Sequence, residues 1–239
     1  MVPSKINYNI GKIECLEPSA HVVSIVDFLE KHFVGFINLY QEKYSGISNE
    51  PVITQKIEMY LNPFLKEELS TFNLTKEYVV NDYPKRKSPQ CDLAFYLDGN
   101  DKAIFCIEAK RLSDFSKEYV YSRTGKSGGI ERFKKEIHGE GLTHSAMFGY
   151  VQKEDFEYWY KQVNTWIDEL IQDESQEIEW NNNDKLNRLY INTNIAKFQS
   201  VNKRENDSIT IFHYWLNLIA VENNKEVIIN NRRIIICDD

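Results

Sequence analysis

Asp92, Glu108 and Lys110 are the residues of this chain whose types and spacing could do chemistry together. They lie in CDLAFYLDGNDKAIFCIEAKRL (91–112), which reads as two apolar β-strands joined by a turn at Asp98-Gly99-Asn100-Asp101. Side chains alternate along a strand, so Ile104, Cys106, Glu108 and Lys110 share one face while Phe105, Ile107 and Ala109 share the other. Both faces are apolar until the strand's end. That pattern marks a strand buried in mid-sheet, where a lone charge costs on the order of several kcal/mol unless it is paired or holds a metal. An antiparallel hairpin brings Asp92 opposite the far end of the second strand, beside Glu108. Converging carboxylates suit a hard divalent cation, Mg2+ (or Mn2+), which takes one or two of them, keeps several waters and completes its shell with a substrate phosphate. Such an ion lowers the pKa of a bound water and neutralises charge on a phosphoryl group. Lys110 can then hold the attacking water or a phosphate oxygen.

Hydrophobic periodicity places these residues in a larger frame. Ile25, Phe28, Leu29, Phe33, Phe36, Ile37 and Tyr40 predict a long amphipathic helix over 20–44, and a second helix is expected over 50–61, with Pro51 in its first turn and its end ahead of Pro63. Strands are expected over 75–80, 91–97 and 102–109 as a meander, then a helix over 129–138 carrying Ile130, Phe133 and Ile137 on one face, and a strand over 144–152. Trp159, Val163, Trp166, Ile167 and Leu170 predict a helix over 155–172. The remainder is β-rich: RLYINTN, ITIFHYWLNLIAV and EVIINNRRIIIC, the last a hairpin turning at Asn230-Asn231. WNNND (180–184) reads as a loop, and the Ser-, Lys-, Arg- and Gly-containing stretch from Ser113 to Gly129 as a mobile one. The expected class is α/β, an α+β arrangement with a mixed sheet. A helical extension (1–48) precedes one domain (49–239) with a core at 49–152 and a helix and strands at 153–239.

With the hairpin between them, Asp92, Glu108 and Lys110 resemble the motif of the PD-(D/E)xK nuclease superfamily, whose restriction-endonuclease-like core runs α-β-β-β-α-β. The elements expected between Asn49 and Gln152 follow that order, and Glu108-Ala109-Lys110 is the only acid-x-Lys triplet in the chain. The proline of the first motif is displaced, standing at Pro89 in Pro89-Gln90-Cys91-Asp92. The resemblance implies a Mg2+-dependent deoxyribonuclease hydrolysing phosphodiester bonds in DNA, in restriction, phage defence or DNA repair. It implies Asp92 and Glu108 as metal ligands, the Ala109 carbonyl completing the shell, and an acidic residue of the first helix assisting. Glu50 falls within about 45° of the centre of the stripe formed by Ile53, Ile57, Tyr60, Leu61 and Phe64, whereas Glu58 lies well over ~100° away and is expected to face solvent. The alternative is a catalytically inactive module on the same fold that binds nucleic acid or a protein.

Basic residues gather around the motif in a chain whose formal net charge is -7: Lys85, Arg86, Lys87, Arg111, Arg123, Lys126, Arg132 and Lys134 are the candidate phosphate contacts. Tyr119 and Tyr121 fit either base stacking or core packing. DNA is the expected partner, with RNA and a homodimer left open and no membrane: no apolar run approaches the roughly 18 residues of a membrane span. A cytoplasmic location with reduced Cys15, Cys91, Cys106 and Cys237 is expected, since the four lie far apart without a C-x-x-C pair. RTGKSGG (123–129) lacks the glycine a phosphate loop needs, Val120 standing in its place. His138 and His144 have no partners at zinc spacing and read as helix-end and strand-start residues, and His213 as a satisfied strand histidine. There is no Gly-x-Ser-x-Gly elbow.

Overall fold

The computed structural model describes residues 17–79, 90–100, 102–113, 117–122, 128–220, 225–229 and 232–236. α1 (Ala20–Lys43) starts where Ser19 Oγ accepts the Val22 N–H at 3.3 Å, and its apolar stripe from Val22 to Tyr40 is buried. α2 (Glu50–Glu68) opens on an Asn49 cap, with Pro51 where a missing N–H breaks no bond. It does not stop before Pro63 as the sequence predicts. Pro63 removes the hydrogen bond to the Met59 carbonyl, but Met59 is 58% exposed, so water can take that carbonyl while Leu61 and Leu65 hold the helix against the sheet.

β1 (Phe72–Val79), β2 (Gln90–Leu97) and β3 (Ala103–Leu112) form an antiparallel meander. After α3 (Gly129–Lys134), β4 (His144–Val151) joins β3 in parallel, the crossover that a parallel pair requires. α4 (Phe156–Gln172) follows, then β5 (Asn187–Ile191), β6 (Ile195–Lys203) and β7 (Ser208–Asn217). β7 pairs in parallel with β4, giving a mixed seven-stranded sheet of order β1-β2-β3-β4-β7-β6-β5 among the described residues. The chain is thus a mixed α/β structure. β8 (Lys225–Ile229) and β9 (Arg232–Ile236) pair antiparallel as the expected hairpin, apart from that sheet; its turn at Asn230-Asn231 lies outside the described residues.

Helices cover both faces of the sheet. Phe33 and Phe36 of α1 and Ile53 and Ile57 of α2 pack with Phe105, Ile107, Ala109 and Phe148; on the opposite face Ile130 and Phe133 of α3 and Trp159 and Trp166 of α4 pack with Cys106, Met147 and Trp215. β3 is therefore covered on both sides, as its two apolar faces require. No described helix is long and apolar enough to cross a membrane.

Three further expectations need correction. α3 is six residues long rather than spanning 129–138: Glu136 takes a left-handed φ of 54°, and the Ile137 and His138 N–H groups both turn back to the Arg132 carbonyl at 2.9 and 3.3 Å. The buried guanidinium of Arg204 fixes that turn by donating to the carbonyls of Phe133 (2.9 Å), Gly139 (2.9 Å) and Leu142 (3.2 Å). The expected loop after β3 is partly core. Lys117–Tyr119 form a 3₁₀ turn, Tyr119, Val120 and Tyr121 are buried, and the Tyr119 hydroxyl bonds His213 Nδ1 at 2.8 Å and accepts from Trp215 Nε1 at 2.9 Å. Burial lowers the His213 pKa to about 3, so this histidine is a neutral strand residue, bonded also to Ser200 Oγ at 2.9 Å. The stretch 180–184 is likewise no plain loop, since Asn182–Asp184 form a 3₁₀ turn with Asp184 buried.

Arg204 tests how this region is held. Arg204→Met should lower stability by about 2–4 kcal/mol in denaturant titrations, because three carbonyls, two of them in fully buried bonds, lose their donor. Arg204→Lys should recover little of it, since an ammonium lacks the guanidinium fork. A loss below about 1 kcal/mol would mean the turn after α3 is held by other contacts.

Candidate active site

The β2–β3 ladder pairs Leu93 with Ile107; one residue beyond stand Asp92 and Glu108. There the Asp92 carboxylate takes the place of a backbone acceptor, its Oδ2 receiving the Ala109 N–H at 2.7 Å. Glu50 reaches the same strand end from the first turn of α2. Its Oε2 accepts the Arg111 N–H at 2.9 Å, and its Oε1 lies 3.3 Å from Lys110 Nζ. Thr54, one turn further along, fixes this end of α2 on the sheet: its hydroxyl bonds the Glu50 carbonyl at 3.0 Å and the buried Tyr150 hydroxyl of β4 at 2.9 Å.

The ammonium of Lys110 sits among oxygens. It is 2.6 Å from Glu108 Oε1 and 2.8 Å from the Ala109 carbonyl, in addition to its contact with Glu50. Glu108 has further partners on the opposite face of the sheet. Arg132 Nη1, from α3, lies 2.6 Å from the same Oε1, and His138 Nδ1 lies 3.0 Å from Oε2. The His138 contact is at ion-pair distance without an aligned hydrogen bond, and Oε2 has no other hydrogen-bond partner among the described residues.

Environment drives the two carboxyls in opposite directions. Glu108 has 0% exposure, and burial by itself would raise its pKa, but the His138 ring and the Lys110 and Arg132 charges together outweigh that and hold it at about 2. For Asp92, burial and then the Glu108 charge win over the pull of Lys110 and the Ala109 N–H, and its pKa is pushed up to about 7. Burial would lower the Lys110 pKa, yet Glu108, Glu50 and Asp92 raise it to about 12. At neutral pH Glu108 is ionised, Lys110 is charged and Asp92 is poised between its forms.

This donor set fits a hard divalent cation. Among the described residues no three His, Cys, Asp or Glu side chains form a ready-made metal cage. Mg2+ needs no such cage: two carboxylates and a carbonyl, with water and phosphate for the rest of the shell, are its usual provision. The raised Asp92 pKa marks a carboxyl short of positive charge, and the Ala109 carbonyl already accepts a cationic donor.

Asp92, Glu108, Lys110, Ala109 and Glu50 are thus gathered at one place, as the sequence predicts. Of the expected phosphate contacts, Arg132 is here, though engaged with Glu108. The Arg111 guanidinium bonds Gln152 Oε1 at 2.9 Å and Ser113 Oγ at 2.7 Å. Lys134 is a correction: it is 4% exposed, its ammonium is 2.6 Å from the buried Asp184 and lies over the Trp180 ring, so it cannot reach a backbone phosphate. Tyr119 and Tyr121 are core residues and cannot stack on bases. Glu58 is also corrected: rather than facing solvent, it accepts the Lys76 N–H of β1 at 3.1 Å. Lys85, Arg86, Lys87, Arg123 and Lys126 lie outside the described residues.

Sequence reasoning missed the role of His138, which it treats only as a helix-end residue. It also missed Gln152, whose amide bonds the Ile47 carbonyl at 2.6 Å and the Tyr40 hydroxyl at 3.1 Å, tying Arg111 to the end of α1 and the turn that follows it. A buried-looking carboxylate needing more countercharge than Lys110 provides was the available signal for His138. Comparison with protein families, with curated proteins and with solved structures found no match to this chain.

The raised Asp92 pKa has a measurable consequence. An acid whose pKa is higher in the folded than in the unfolded protein binds its proton more tightly when folded, so its ionisation subtracts stability as pH rises from its ordinary 3.8 to about 7. Glu108 has the opposite shift, and its contribution is lost only as pH falls from 4.5 towards about 2. Without metal, Asp92→Asn should therefore melt increasingly above wild type as pH is raised through ~4 to ~7, by several degrees at the upper end. A difference that stays constant over this range would mean that Asp92 is not ionising in a charged, buried setting.

Proposed function

We propose that this protein is a metal-dependent nuclease that hydrolyses phosphodiester bonds in DNA, built on a restriction-endonuclease-like core. The observation that carries this reading is the convergence of Asp92 and Glu108 at the end of the buried β2–β3 ladder, with Lys110 Nζ 2.6 Å from Glu108 and Glu50 3.3 Å from Lys110. The succession α2-β1-β2-β3-α3-β4 also supports it, an antiparallel meander followed by a helix and a parallel strand. Restriction, phage defence or DNA repair is the setting that goes with this chemistry.

Asp92, Glu108 and the Ala109 carbonyl would hold Mg2+ or Mn2+, which when bound supplies a Lewis acid toward phosphate and a water of lowered pKa. The other steps belong to the chain. Lys110, kept cationic by its neighbours, holds the attacking water or a phosphate oxygen in place. Glu50 fixes the strand end through the Arg111 N–H and steadies the Lys110 ammonium. The two helical layers exclude bulk water from Glu108, which strengthens each of these interactions.

A second reading is a module without catalysis that binds nucleic acid or a protein. The saturation of Glu108 by Lys110, Arg132 and His138 favours it, because such a carboxylate can be a purely structural ion cluster. Cleavage assays on supercoiled, linear and single-stranded DNA and on RNA, with Mg2+, Mn2+ or EDTA, separate the two. Metal-dependent DNA cleavage is expected. Glu108→Gln and Lys110→Met should lose at least about 100-fold, and Glu50→Gln about tenfold, a smaller loss in keeping with a positioning contact. Binding with no cleavage of any substrate in any metal would establish the module instead.

A further inference from the structure

The two oxygens of Glu108 face different neighbours. Oε1 is shared by Lys110 Nζ and Arg132 Nη1, both at 2.6 Å, and the same ammonium reaches the Ala109 carbonyl at 2.8 Å, so Oε1 is the oxygen turned toward the other proposed metal ligands. Oε2 meets His138 Nδ1 at 3.0 Å. Both of these atoms are buried, and neither has a hydrogen bond elsewhere among the described residues. Separation would leave each of them buried without a partner, which keeps carboxylate and ring together. The ring is also held in place independently of Glu108. Its side chain is 3% exposed and lies edge-on to Phe133, with ring centroids 6.0 Å apart. Its backbone stands in the turn where the His138 N–H returns to the Arg132 carbonyl and Arg204 donates to the carbonyl of Gly139.

How many oxygens a carboxylate offers matters to the ion it binds. Ca2+ accepts carboxylates through one oxygen or two in a flexible shell, whereas Mg2+ demands near-octahedral geometry. A neighbour that occupies the second oxygen therefore favours Mg2+. We propose that His138 is a positioning residue: by holding Oε2 it makes Glu108 a one-oxygen ligand and sets the proposed site for Mg2+ rather than Ca2+. This rests on the nuclease reading and specifies the ion that its site takes. His138 acts through Glu108, as the outer-shell partners of metal-ligating side chains do. Lys110 and Arg132 do not supply this restraint, because both sit on Oε1.

The test uses the full chain and reads binding rather than turnover. Mn2+ binding to wild type, His138→Phe, His138→Asn and Asp92→Asn is followed by the electron paramagnetic resonance of free Mn2+, with Mg2+ and Ca2+ each titrated as competitors. His138→Phe should weaken Mg2+ by about tenfold or more, in the range for loss of an outer-shell partner, and Ca2+ by less than about threefold. His138→Asn, whose amide nitrogen stands in for Nδ1, should return the ratio of the two affinities toward wild type. A general loosening of the fold would weaken both ions alike and leave that ratio unchanged. Melting curves check folding, and His138→Leu answers the same question if phenylalanine is not accommodated. An unchanged Mg2+ to Ca2+ ratio in the folded apolar variant, with binding still dependent on Asp92, would overturn the positioning role while leaving the metal site standing. Mn2+ binding that is absent from wild type, or indifferent to Asp92→Asn, would overturn the site and the positioning role together.

Discussion

Glu108 carries its charge at a point on β3 with no exposure to solvent, where an unpartnered carboxylate would cost on the order of several kcal/mol. The arrangement around it answers that cost. Lys110 comes from the same strand, Arg132 from α3 and His138 from the turn beyond it, and Arg204 holds that turn by its carbonyls. The compensation makes Glu108 a strong anion, held at about 2, and the burial it requires leaves Asp92 next door raised to about 7. Two carboxyls a residue past the last ladder pair thus differ in pKa because one took most of the available positive charge.

Both helical layers contribute to this one strand end. Glu50 arrives from α2, which packs against one face of the sheet, and Arg132 and His138 arrive from the segment covering the other. The site is therefore as rigid as the packing of the layers, and the hydrogen bond between Thr54 and the buried Tyr150 fixes α2 one turn from Glu50. The buried pair of Lys134 and Asp184 lacks this character. Lys134 and Asp184 neutralise each other one to one, under Trp180. Glu108 instead faces three basic groups drawn from two different parts of the fold.

Much of this was legible in the sequence because strand alternation carries orientation over a short window. CDLAFYLDGNDKAIFCIEAKRL places Asp92 beside Glu108 with no information from elsewhere, and the angle of Glu50 on its helix indicated that it would face the sheet. What lay beyond reach depended on distant partners. That Lys134 is buried follows from Asp184, fifty positions on, and that α3 ends early follows from Arg204, a further twenty. Glu58 was assigned to solvent from its helical angle alone, which takes no account of the edge strand β1 running past it. Pro63 failed as a stop signal because the carbonyl it frees lies on an exposed face, a tertiary circumstance that the local rule does not see.

A divalent cation bound as proposed would take the place that the Lys110 ammonium holds among the oxygens of Glu108, Ala109 and Glu50. Crystals soaked in Mn2+ and measured for anomalous scattering test it most directly. The expected result is a peak coordinated by the Asp92 and Glu108 carboxylates and the Ala109 carbonyl, with the Lys110 ammonium moved off the Ala109 oxygen. A crystal that binds Mn2+ elsewhere, or that keeps Lys110 on Glu108 and Ala109 with no peak at saturating Mn2+, would contradict it.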